Sequence, residues 1–332
     1  MRGHLLLSTK KVSYMKSYFQ NRSLIQQFSF ICVVFFLLFC ASSVWTVARA
    51  KIIYEKRIGT SLQTQQKNIE HSLTEALSNT SSLLHQTLLA IKSNSDDLNH
   101  VNNELSFLRT NPHVENLFSW TVFSWSDESY KITVDGLYGI MKEPYDLSSR
   151  DYISKTRTEP MVLHLGKLVF GSTSKRWMIP AGMGIANDKG EYLGAITLGF
   201  DVRGLTRLLA QSLKAEGIKF ALYDQEYNLV LSSGENSEGK IIKAEGKILE
   251  KLLSASTEAV TKIDLFGDED PNRTVKINGL PYTLLLSYDA EIAREILWND
   301  IFSNLIELSI LFFFFCCLLL FACSLRSASD FE

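Results

Sequence analysis

The sequence predicts an α+β protein in which a long helix is followed by two antiparallel-sheet units, the whole flanked by two transmembrane helices. Three observations carry that expectation. Two uncharged apolar stretches lie towards the ends of the chain, an apolar stripe at helical spacing follows the first, and short β-rich runs separated by turn residues fill the rest.

Residues 28–48 (FSFICVVFFLLFCASSVWTVA) contain no charged side chain, and a helix of that length covers about 30 Å, enough to cross the hydrocarbon core of a bilayer. Residues 308–325 (LSILFFFFCCLLLFACSL) are again uncharged, with Glu307 and Arg326 at the edges, and place a second span at 305–325. The segment 1–27 carries Arg2, Lys10, Lys11, Lys16 and Arg22 and no acid, which the positive-inside rule assigns to the cytoplasm. Arg49, Lys51, Lys56 and Arg57 follow the first span directly, but a loop as long as the one they open translocates largely regardless of charge. Both termini are therefore expected in the cytoplasm, in a two-pass protein of the inner (plasma) membrane whose large domain lies outside. Ala48, Arg49 and Ala50 also fit the small-residue pattern of a signal-peptidase site, so a cleaved secretory peptide is the competing reading. The apolar run is longer than the ~7 to 15 residues of a typical signal core, which favours a retained anchor.

The 34 basic and 36 acidic residues nearly cancel and give no general attraction to nucleic acid. All 5 cysteines, Cys32, Cys40, Cys316, Cys317 and Cys323, fall inside the spans, so the exported loop can hold neither a disulfide framework nor a cysteine metal site.

Beyond the first span, Ile58, Leu62, Ile69, Leu73, Leu77, Leu84, Leu88 and Ile91 recur mostly at steps of three, four or seven, which predicts an amphipathic helix over 49–96. Such a stripe packs on its own domain or forms the seam of a homodimer, and both remain open. After Asn111 and Pro112 the pattern changes to apolar runs at 117–125, 130–136, 161–171, 177–186 and 192–200, read as one antiparallel sheet in a membrane-distal unit spanning 97–214. Asn187, Asp188, Lys189 and Gly190 supply a tight turn between the last two, and Asp201 stands in position to cap a helix over 202–213. A membrane-proximal unit at 215–300 follows, with strands at 219–224 and 227–233, a helix near 247–254, strands at 259–266, 273–279 and 282–288, and a helical run at 290–298 leading into the second span.

Two α/β units hung between membrane helices and begun by a long helix, with SSRDYISKTR, NDKGEYLGAITLGFDVRGL, FALYDQEYNLVLSS and INGLPYTLLLSYDAEI as their most telling stretches, resemble the double Cache family of PAS-like extracytoplasmic sensors. The resemblance covers about residues 50–300. It implies a small ligand pocket in the distal unit. Amino-acid-binding members use a tyrosine, four residues, an arginine, one residue and an aromatic, then an aspartate on a later strand; Tyr145, Arg150 and Tyr152 fit that spacing and Asp201 stands where the aspartate is expected. Ile153 replaces the usual second aromatic and Phe170 stands where a tyrosine is common, which leaves the exact ligand open. The residue chemistry agrees: a guanidinium fork grips a carboxylate by two parallel charge-assisted hydrogen bonds, and an aspartate opposite accepts an ammonium. The plainer readings are that Arg150 pairs with Asp146 or Asp151, that Asp201 only caps its helix, and that the tyrosines border a core.

Other motifs do not stand. GMGIAND (182–188) lacks the third glycine and the following helix of a dinucleotide fingerprint, the 6 histidines are scattered, and no nucleophile and base pair stands out. No enzyme activity, cofactor or metal is expected. Past the second span only RSASDFE remains, so output is expected from a separate protein, or the chain is the sensory half of a split or truncated histidine kinase, diguanylate cyclase or chemoreceptor. A non-sensing assembly protein is the rival from another class.

Overall fold

The structure, a computed structural model, describes residues 3–110, 123–171, 175–213, 216–233, 242–255, 260–262 and 270–329. The chain divides into two compact units, Met1–Arg57 with Glu291–Glu332, and Ile58–Ala290.

In the larger unit, the first helix, α1 (Gly3–Lys92), buries Leu62, Ile69, Leu73, Ala76, Leu84, Leu88 and Ile91, none more than 3% exposed. The stripe expected from the sequence is thus packed within its own unit. Leu77, expected on that stripe, is half-buried at its edge, while Ala76 and Thr80 are buried. Asp97 ends the turn after α1 by accepting the backbone N–H groups of Asn99 (2.9 Å) and His100 (3.3 Å), capping α2 (Leu98–Thr110), whose Val101, Leu105 and Leu108 are buried.

The distal sheet contains β1 (Phe123–Asp127), β2 (Lys131–Asp135), β3 (Gly139–Asp146), β4 (His164–Leu165), β5 (Val169–Phe170), β6 (Trp177–Ala186) and β7 (Tyr192–Asp201). Its order is β3-β2-β1-β7-β6-β4, with β5 also paired to β6, and the pairings are antiparallel. Two helices belong to this unit, α3 (Asp151–Thr158) and α4 (Val202–Ser212). The expected strands at 130–136, 177–186 and 192–200 are present, and Gly190 takes the positive φ of 83° that the turn before β7 needs. The single strand expected over 161–171 is instead the two short strands β4 and β5, and Met161 at φ 65° breaks any longer run. Of the run at 117–125, the part before β1 lies outside the described residues. Neither β3 nor α3 was anticipated. β3 reads GIMKEPYD, with Lys142, Glu143 and Pro144 where a strand signal would sit.

The proximal sheet follows, with β8 (Ile218–Tyr223), β9 (Leu229–Ser232), the helix α5 (Gly246–Leu253), and β10 (Val260–Lys262), β11 (Asn272–Lys276) and β12 (Thr283–Tyr288) in the order β10-β11-β12-β8-β9. This is the strand, strand, helix and three strands read from the sequence; residues 263–269 lie outside the described residues.

The last helix, α6 (Ala290–Ser329), shares the smaller unit with the first part of α1. Both helices carry windows of mean hydropathy 2.4, long and apolar enough to cross a membrane. Within this unit Phe35 stacks on Phe315 with ring centroids 3.8 Å apart, and Phe39 meets Phe312 at 4.9 Å, so the two apolar segments pair.

Candidate functional site

One face of the distal sheet is closed by packing. Val134, Trp125, Ile196 and Met183 form a cross-strand row on it, all fully or nearly fully buried. The opposite face is built differently. Asp135 pairs with Ser124, Ser124 with Thr197 and Thr197 with Gly182, so the neighbouring row runs acid, hydroxyl, hydroxyl, glycine. These small and polar residues cannot fill the space above them, and a cavity of about 390 Å³ stands there.

Ser124, Asp135 and Thr197 line its floor. Met141, Glu143 and Tyr145 from β3, Leu147 and Arg150 from the turn into α3, Tyr152 from α3, and Val169 and Phe170 from β5 line its walls. Tyr152 is buried, and its ring lies over two glycines: a Cβ at Gly166 would stand 2.6 Å from its Cδ1, and one at Gly182 3.2 Å from its Cε2. A Cβ at Gly184 would come within 2.3 Å of the Thr156 carbonyl oxygen. The GMG of β6 therefore lets α3 lie against the sheet. Burial pushes the Tyr152 hydroxyl up to about 12, so it stays protonated and able to donate.

A second contact holds α3. The Arg157 guanidinium lies between the rings of Tyr130 and Tyr192, 5.0 and 4.9 Å from their centroids, and donates to the Glu128 carbonyl at 2.7 Å. The Tyr192 hydroxyl and Thr156 Oγ1 are hydrogen-bonded at 2.7 Å. This clamp fixes the helix whose first residues present Arg150 and Tyr152.

Three of the four residues singled out in the sequence meet on this cavity: Tyr145, Arg150 and Tyr152. Arg150 is the N-cap residue of α3 with extended backbone, φ −87° and ψ 130°, and its side chain makes no cap bond. Among the described residues no carboxylate lies within ion-pair distance of it. Asp146 instead accepts the Ser148 N–H at 2.7 Å, a bond that holds its carboxyl below the usual range, and Asp151 sits in the first turn of α3. Asp201 is not brought to the cavity. It is 7% exposed, caps α4 by accepting Arg203 N–H at 3.3 Å, and stands 3.5 Å from Arg176 Nη1. Its cross-strand partner Met178, which projects from the same face of the sheet, lines the cavity, its Sδ within 2.4 Å of a Cβ built at Gly199.

The carboxylates on the lining are Asp135 and Glu143, neither singled out in the sequence. Asp135 is followed by Gly136 and reads as an ordinary turn residue; only the register of β1 and β2 puts it on the floor. A larger and more open groove, about 730 Å³, lies among α1, α3, β4 and the turn at 278–281. Its lining has Lys155 and His164 among hydroxyls and amides but no arginine or carboxylate, so size alone does not mark the site.

No family model and no curated protein matches the sequence. Solved structures do. The sensory domain of the Campylobacter jejuni chemoreceptor Tlp3 with isoleucine bound is 15% identical, with a TM-score of 0.52 over 74% of this chain and 97% of that one. The ligand-binding domain of the Pseudomonas fluorescens chemoreceptor CtaA in complex with L-serine is 13% identical, with a TM-score of 0.53 over 73% and 99%. The extracellular domain of the histidine kinase rpHK1S-Z16 is 14% identical, with a TM-score of 0.55 over 70% and 95%. The chain therefore shares the fold of these sensory and ligand-binding domains, as the resemblance to double Cache sensors implies, and carries two helices long and apolar enough to cross a membrane.

Proposed function

We propose that this chain is a membrane-anchored extracytoplasmic sensor that binds a small carboxylate-bearing solute, an amino acid or a related small carboxylate, in the distal cavity. The observation that supports this most is the convergence of Tyr145, Arg150 and Tyr152 on one cavity, in a fold shared with chemoreceptor domains solved with isoleucine and L-serine bound. In this reading the Arg150 fork takes the ligand carboxylate in two parallel hydrogen bonds, Tyr152 adds a neutral donor, and Tyr145 and Phe170 form the half-open aromatic wall. Asp201 supports α4 beside the cavity rather than touching the ligand.

The sensor works as a homodimer with both termini in the cytoplasm and hands its signal to a separate output protein. α1 runs unbroken through the apolar segment into the buried stripe of the larger unit, and α6 runs unbroken from Ala290 to Ser329. A ligand that binds one arrangement of the distal unit more tightly than another biases the register of these helices, and shifts of about 1–2 Å are sufficient for switching. Thermal unfolding of the full chain in detergent, with and without amino acids and small carboxylates, tests the reading. A ligand at 100 times its dissociation constant adds about 2.7 kcal/mol of stability. The same compound should leave Arg150→Ala unchanged, and equal shifts in wild type and variant would remove Arg150 from the site.

A further inference from the structure

The open groove of about 730 Å³ is lined from three sides of the larger unit, by α1, by α3 and β4, and by two turns of the proximal unit. α1 supplies Thr74, Ser78 and Ser81, which fall on one helix face at steps of four and three. Their hydroxyls are not used by the helix. Thr64, Thr80 and Thr87 of α1 each donate to the carbonyl one turn back, at 2.9, 2.7 and 3.1 Å, but Thr74, Ser78 and Ser81 have no partner among the described residues. α3 supplies Lys155. Asp151 and Glu159 stand one turn before and after it, yet among the described residues it pairs with neither, and its ammonium is left to the groove. His164 on β4 is 9% exposed; its Nε2 faces the Glu159 carbonyl oxygen at 3.2 Å and therefore donates, which leaves Nδ1 without a partner among the described residues. The proximal unit adds the side-chain amides of Gln225 and Asn278, again unpartnered among the described residues.

We propose that this groove is a second solute site, distinct from the distal cavity, for a small anion rich in acceptor oxygens. The hydroxyls, the amides and the ammonium all donate, and among the described residues no carboxylate lines the groove to compete with an anion. His164 adds a further donor when protonated, with Glu159 Oε2 3.7 Å from Nε2 to balance its charge. Leu77, Leu163, Leu165 and Leu280 lie among these groups, so the donors are separated by apolar wall as in solute sites generally. Hydroxylated polycarboxylates and phosphorylated polyols share the chemistry that this lining takes. An anion seated here touches α1, α3 and the proximal turns together, and α3 is the helix that carries Tyr152 and follows Arg150. The site does not depend on the carboxylate grip proposed for Arg150.

The test measures binding to the full chain in detergent by calorimetry, with citrate, glycerol phosphate, inorganic phosphate and uncharged glycerol, in wild type and in Arg150→Ala, which removes the distal grip. At least one anion should bind Arg150→Ala within about twofold of wild type and lose about 10-fold in Lys155→Met, while glycerol should not bind. Citrate alone would support a polycarboxylate, and the phosphates alone a phosphorylated solute. All 5 cysteines lie in the spans, so Ser78→Cys puts a single thiol in the exported loop, and the bound anion should slow its labelling by a maleimide. Binding that is lost in Arg150→Ala and untouched by Lys155→Met would place the anion in the distal cavity and overturn the inference. Glycerol binding as tightly as the anions, or no probe binding at all, would overturn it too. Ser78→Cys that resists labelling before any anion is added would show the groove covered in the assembled protein, with the same result. An amino-acid response that survives Lys155→Met leaves the distal reading standing whichever way the groove is decided.

Discussion

The two sheets of the larger unit are the same idea executed twice, and they differ in what covers one face. In the proximal sheet, Tyr223, Ala244 and Leu252 form a buried cluster with Ala221, Tyr227, Leu229, Leu249 and Leu285 packed against it, so α5 closes that face with apolar side chains. In the distal sheet the corresponding region is floored by Asp135, Ser124, Thr197 and Gly182, and α3 brings one ring, Tyr152, over only the glycine end. A cavity is not a property of this scaffold. It is what remains when the floor is small and polar and the covering helix, though as long as α5, lays its one ring over a single end.

Substitutions sharpen that contrast. The largest expected effect lies in the filled sheet: Leu284 is fully buried between Val275 and Leu222 in its row, and Leu284→Ala should cost about 3 kcal/mol in denaturant unfolding with no change in ligand affinity once folded. Next, Gly184→Val forces a side chain against the Thr156 backbone carbonyl, which cannot yield as a flexible side chain would. A loss of about 2 kcal/mol and a weakened ligand response are expected, because α3 must lift with Arg150 and Tyr152. Arg157→Ala, which empties the clamp between Tyr130 and Tyr192, should cost about 1 kcal/mol and raise the ligand dissociation constant, while Arg157→Lys restores only part of it.

A pH scan separates the faces in another way. Tyr152 keeps its proton in the fold up to about 12, whereas in the unfolded chain it loses it near ~10. Between those values the unfolded state binds fewer protons, so stability falls as pH rises through that window, and Tyr152→Phe should flatten the fall. The smallest effect should come from Lys167→Ala. Its ion pair with Glu226 joins the two sheet units at the surface, where both side chains are exposed, and melting should not move measurably.

Much of this was legible in the sequence. The stripe on α1 announced itself by period, and β6 and β7 by continuous apolar runs bounded by a turn. Tyr145, Arg150 and Tyr152 could be found because they fall within eight consecutive residues, from the end of β3 through the turn into α3. β3 was missed because a strand at a sheet edge, with its side chains largely in water, needs no apolar alternation. Asp201, expected in the site on its place in the chain, ends β7 on the same face as Thr197 and Gly199, where it caps α4 and stands beside Arg176.

Period, charge and local spacing thus determined the spans, the two units and the arginine end of the cavity, since each of these is fixed by neighbours along the chain. Which acid stands on the floor was decided only by register. Asp135 faces the cavity because β1 pairs it with Ser124 and pairs Ser124 with Thr197 more than seventy residues on, and a slip of one residue would have turned all three to the packed face.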